Sequence, residues 1–112
     1  MRISEWCGTL SGLLLVPFAA SQAVTQTGLT LVTGQLSFSG RYVTQAVSVK
    51  NTSANTVQII KIDCEFFRQD QLIATGSAYI SNVVSLSAGS TDVIARSDAA
   101  ADRAQCRLVM AR

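Results

Sequence analysis

The chain contains no histidine. That removes the commonest general base and the commonest metal ligand, so neither a Ser-His-Asp nor a Cys-His arrangement can be built from its residues. Proline and tryptophan occur once each, as Pro17 and Trp6, and both fall in the first 23 residues. Charge is thin: 14% of the residues are charged, nine Lys and Arg against seven Asp and Glu. They are dispersed, forming no basic stripe for nucleic acid and no polybasic cluster for an anionic membrane. The glycines stand alone, without the spacing of a phosphate-binding loop. Three cysteines contain no C-x-x-C pair, which argues against a thioredoxin-like couple and against zinc. No metal and no cofactor is expected.

What is present begins with a leader. Arg2 precedes the apolar run Leu10 to Ala20, which closes on the small residues Ala19-Ala20-Ser21-Gln22-Ala23. This is the layout of a secretory signal peptide cleaved after Ala23. The run is shorter than the roughly 20 residues of a membrane-spanning helix, and Pro17 interrupts it. Cys7 lies ahead of that run, so it is not placed as a lipoprotein cysteine. Residues 1–23 therefore read as leader and 24–112 as one domain, released into the periplasm or outside the cell without stable membrane insertion. Export leaves Cys64 and Cys106, an even pair that reads as a disulfide in an oxidising space; in a cytosolic core they would be two buried thiols. For so small a domain a staple matters, since only about 60–65% of the unfolded surface is buried on folding.

Hydrophobic periodicity is two almost throughout, the mark of half-buried strands. From Val57 to Arg68, Ile60, Ile62, Cys64 and Phe66 alternate with Lys61, Asp63 and Glu65, with Phe67 the exception on the outer face. Ala104 to Ala111 repeats the pattern, with Cys106, Leu108 and Met110 on one side. Both cysteines thus fall on apolar faces. If the two strands are antiparallel neighbours with Cys64 facing Cys106, Ile62 faces Leu108, Ile60 faces Met110, and Asp63 faces Arg107 as an ion pair. Further strands are expected over Leu29 to Phe38, broken near Gly34, over Tyr42 to Lys50, and over Leu72 to Asn82. In the last of these, Leu72, Ala74, Gly76, Ala78 and Ile80 share a face and leave room for Phe66. Turns are expected at 51–56, at 69–71 and at Ala88-Gly89-Ser90, with a short strand at Thr91 to Ala95. Ser97 or Asp98 reads as the cap of a short helical turn near 97–103. Six or seven short strands in one small chain predict an all-β fold, an antiparallel immunoglobulin-like sandwich.

Three segments carry a resemblance: Val47-Ser48-Val49-Lys50-Asn51-Thr52-Ser53, Cys64-Glu65-Phe66-Phe67-Arg68-Gln69-Asp70, and Leu86-Ser87-Ala88-Gly89-Ser90-Thr91 after Ala74-Thr75-Gly76. Together they resemble the FxLYD-type family of small secreted bacterial domains over roughly residues 43–110. There a V-x-N-x-S/G turn leads into a strand ending near F-Y-D-x-x-G, and an L-x-x-G-x-T/S turn follows. Phe67-Arg68 and Gln71 depart from the expected Tyr-Asp and Gly, and the cysteine pair is no hallmark of that family. The resemblance implies an immunoglobulin- or fibronectin-like sandwich and brings no catalytic residues.

The remaining chemistry is sparse. Asp63 and Glu65 share an outer face about 7 Å apart, a spacing open to calcium or to glycosidic acid–base work, and equally to a solvated face answered by Lys61 and Arg107. Asn51-Thr52-Ser53 fits the N-glycosylation pattern, though a strand-end turn explains it as well. Phe67, Tyr42 and Tyr79 are the candidate interaction residues. The sequence therefore points to a non-enzymatic binding or structural module for an unidentified protein partner, an assembly or chaperone-like accessory using an exposed sheet edge. The alternatives are a small inhibitor of a hydrolase or of fibre growth, working through a rigid loop, and an enzyme working through Asp63 and Glu65.

Overall fold

The computed structural model describes residues 23–26 and 28–112. Of the leader expected over residues 1–23, residues 1–22 lie outside the described residues, and Ala23 is the first residue of the first strand. Among the described residues, six long strands and one short one make up the fold. They are β1 (Ala23–Gln26), β2 (Leu29–Ser39), β3 (Tyr42–Asn51), β4 (Val57–Arg68), β5 (Gln71–Val83), β6 (Ser87–Arg96) and β7 (Arg103–Ala111). One sheet has the order β1-β2-β3-β6 and the other β5-β4-β7, with every pairing antiparallel. The chain leaves the first sheet after β3, returns to it for β6 and ends in the second. This is the Greek-key connectivity of an immunoglobulin-like sandwich. No helix occurs among the described residues.

The core is the sum of the inward-facing sets. Leu29 and Leu31 of β2, Val43, Val47 and Val49 of β3 and Val93 of β6 meet Ile60, Ile62, Cys64 and Phe66 of β4. Alternation places their neighbours Ser48, Lys61 and Glu65 toward the outside. The expected register between β4 and β7 is found: Cys64 faces Cys106 with the disulfide formed, Ile62 faces Leu108 and Asp63 faces Arg107. It changes one residue later. Ile60 faces Ala111, not Met110, because Val109 is inserted as a bulge and Met110 passes opposite Lys61.

A bulge also moves Leu72. The register steps from Phe66–Ala74 to Phe67–Leu72, so Leu72 lies outside and half exposed while Ile73 packs against the core. The break near Gly34 is a bulge within one continuous strand, between Thr33 and Leu36. Buried Gln45 holds it there: its amide donates to the carbonyls of Gly34 and Ala46, both at 2.9 Å.

Two local expectations fail. Ala88-Gly89-Ser90 is not a turn but part of β6, paired with Lys50, Val49 and Ser48. A Cβ at Gly89 would sit 2.5 Å from Ile80 Cγ2 and 3.0 Å from Val83 Cγ2, so glycine is there to let β6 lie against β5. The turn itself falls at Val84–Leu86, with Leu86 in the left-handed region at φ 62°. Nor does a helical turn form at 97–103. Ser97 Oγ accepts from the Ala99 N–H and donates to the Ala99 carbonyl, a closed local loop that competes with helical bonding. Asp102 faces away and accepts the Gln69 N–H at 2.8 Å.

Candidate functional site

The sheets are unequal in width. β6 lies against β5 along one long side, and β2 passes close to β7 on the other. β1 continues the first sheet one strand further, beyond β2. Among the described residues, β7 pairs only with β4, so the backbone donors and acceptors of its second edge carry no ladder partner. A strand lying there would face β1 and extend the second sheet to four.

The residues of β7 fit that role. Ala104, Cys106 and Leu108 turn toward the core, and Arg103, Gln105 and Arg107 toward the outside. The edge has neither proline nor an inward-facing charge, two of the devices that commonly block strand addition. Its charged side chains are cationic. Antiparallel pairing of β7 with a second β7 about residue 105 or 107 would set arginine against arginine, which is unfavourable.

The aromatic candidates do not converge. Tyr42 lies on the outer face of the four-stranded sheet, opposite Arg96, and is half exposed. Tyr79 lies on the outer face of the other sheet, opposite Lys61. Phe67 shares that sheet but stands six residues further along β4, roughly 20 Å away at strand rise. Phe67 is also covered: the Arg103 guanidinium stacks over its ring at 4.2 Å and reaches Asp70 at 3.3 Å. The three aromatics are separate surface residues, not one patch.

Asp63 and Glu65 do share the outer face of β4, but the surface there is a flat sheet. Asp63 Oδ1 accepts the Ser77 hydroxyl at 2.6 Å, so the Asp63 carboxylate is engaged by serine although Arg107 stands opposite. A shallow depression of about 420 Å³ opens instead on the other sheet, over the β2 bulge, lined by Val32, Gly34, Ala46, Ser48, Ser90 and Asp92. The carboxylate pair and this depression thus lie on opposite faces of the described sandwich. No cluster of three or more potential metal-ligating side chains occurs among the described residues.

Asn51 is fully buried and hydrogen-bonded through both ends of its amide. Nδ2 donates to the Asn55 carbonyl at 2.8 Å and to the Val83 carbonyl at 2.9 Å. Oδ1 accepts the Ser53 N–H at 2.9 Å and its hydroxyl at 2.6 Å. A glycan has no access to such a side chain in the folded domain, so the N-x-S pattern here is a structural clamp joining the two sheets. Comparison with protein-family models, with curated proteins and with solved structures finds no match to this chain.

Proposed function

We propose that this protein is a secreted or periplasmic, non-enzymatic binding module that takes an extended segment of a partner protein onto the free edge of β7. The observation that carries the reading is the unequal width of the sheets, which among the described residues leaves a strand-wide position beside β7 and facing β1. Backbone pairing supplies affinity in this mode, and alternate side chains supply selectivity. The inward positions call for apolar residues to continue the row Ala104, Cys106 and Leu108. The outward positions face Arg103 and Arg107 and call for acidic ones. The FxLYD-like turn signals and the disulfide support an exported sandwich of this kind, since disulfides persist in oxidising compartments.

Hydrogen–deuterium exchange with synthetic extended peptides tests it. A peptide alternating valine and glutamate should slow exchange along β7, and one alternating valine and lysine should do so less. If no peptide protects β7 amides, edge addition is wrong.

A further inference from the structure

We infer that the turn Val84–Leu86 is a preformed apolar anchor that inserts into a leucine-sized pocket on a partner protein, a contact separate from the β7 edge. Leu86 is 78% exposed and Val84 52% exposed, while Val83 just before them is buried. Exposure alone is ordinary. The backbone is not. Leu86 holds φ 62°, a conformation that glycine or asparagine adopts readily and a branched side chain resists.

The tip is also pinned. The Leu86 N–H donates to the Asn51 carbonyl at 2.8 Å, and the Ser87 N–H and hydroxyl donate to the Val84 carbonyl at 3.2 and 2.7 Å. Ser85 Oγ donates to the Ser53 carbonyl at 2.5 Å. Behind them the buried Asn51 amide holds the Val83 carbonyl. The free domain gains nothing evident from leucine here, since its side chain is in water and its φ is unfavourable. Both features make sense where a rigid apolar side chain is presented in one orientation, because a preordered anchor loses little further freedom on binding.

A bilayer imposes no geometry that would reward a fixed φ, and among the described residues at this end Lys50 and Arg112 are too few for electrostatic membrane attachment. A protein pocket does reward it. The charges at this end name its rim: Lys50 pairs with Ala88 two residues past the tip, and Arg112 hydrogen-bonds to Ile59 at the same end. The nearest acid on the strand, Asp92, lies opposite Ala46, four residues further on. An apolar pocket with acidic groups around its mouth is the complement.

The test places a photo-crosslinking amino acid at Ala88 or, separately, at Gln105 in the full chain, expressed in the cells that make it. Each is combined with Leu86 intact, Leu86→Gly or Leu86→Asn. The Ala88 probe should give one discrete protein adduct that falls at least tenfold in both variants. The purified partner should bind the unmodified domain at least tenfold more tightly than either variant, while both melt at or above the parent temperature. A lower melting temperature in both variants, an undiminished adduct, lipid adducts alone or no adduct would overturn the inference. The Gln105 probe reports on the β7 edge and should be insensitive to Leu86, so either reading can fail while the other stands.

Discussion

The two long sides of the sandwich are closed by opposite means. On the β5–β6 side, side chains have been removed. A Cβ at Gly76 would lie 2.8 Å from the Ile94 carbonyl oxygen, and one at Gly89 would meet Ile80 and Val83. Without them the two edge strands approach until neither has room for a newcomer. On the β7 side nothing is trimmed, and the strand is fastened inward by a covalent bond, Cys64 to Cys106. Close approach protects an edge and fixes it, whereas a disulfide fixes a strand and leaves its far edge available. A binding edge needs the second arrangement: order without occlusion.

Removing the bond should produce the largest effect. Replacing Cys64 and Cys106 together by alanine opens a loop with a sequence separation of 42. It should cost about 4 kcal/mol in the chain-entropy model. Chemical denaturation measures the loss, and hydrogen exchange locates it. Amides of β7 should become labile first and those of β5 and β6 last. Uniform acceleration through both sheets would show that the two sides are not independent.

Next comes the clamp that joins both sheets at one end. Asn51→Ala leaves the Val83 carbonyl and the Ser53 N–H without their partners, and should cost roughly 3 kcal/mol, since each stranded buried group costs about 1–3. A urea midpoint unchanged within error would mean that water replaces the amide. Gly89→Ala attacks the closed side directly. Ile80 and Val83 are inflexible near their branch points, so β6 must move, at about 2 kcal/mol by analogy with overpacked cores. A Gly89→Ala variant as stable as the parent would show that the contact between β5 and β6 is loose, and the contrast between the two sides would lose its basis.

Much of this architecture is visible in the sequence, and the reasons for what is not are local. The Val57–Arg68 strand and its pairing with β7 follow from parity, because two cysteines on the apolar faces of two alternating strands admit one simple register. The register holds from Phe67 to Ile62 and breaks at Val109, since alternation cannot report an inserted residue. Gly89 has the composition of a turn and lies in a strand, because its role is set by Ile80 and Val83 of a different strand. Gln45 reads as an ordinary polar residue, and only tertiary structure shows that its amide supports the Gly34 bulge. The edge of β7 could be suspected from the lack of proline, but which edge is free depends on strand order. Leu86 carried no signal: an L-x-x-G pattern suggests a turn after the leucine, and the leucine is itself in the turn.

The smallest effect concerns the far end of the sandwich, where β4 turns into β5. Gln69 and Asp70 both have positive φ, 52° and 64°, the mirror-image geometry of two-residue hairpins that favours Asn-Gly. Asp70 tolerates that conformation, but Gln69 is not suited to it, so something else must hold it. Asp102 accepts the Gln69 N–H, and Arg103 reaches Asp70 while stacking on Phe67. Both contacts come from the segment that leads into β7, so the turn is tied to the open side. Gln69→Asn keeps the N–H and relieves the backbone, and should raise stability by about 0.5 kcal/mol, since asparagine tolerates the left-handed region better. Asp102→Ala in the parent should cost about 1 kcal/mol, the worth of one hydrogen bond, and should cost less in the Gln69→Asn background. A double-mutant cycle on thermal melting measures that coupling. Additive effects would mean that Asp102 does not support the turn, and that β7 enters its sheet without help from the hairpin beside it.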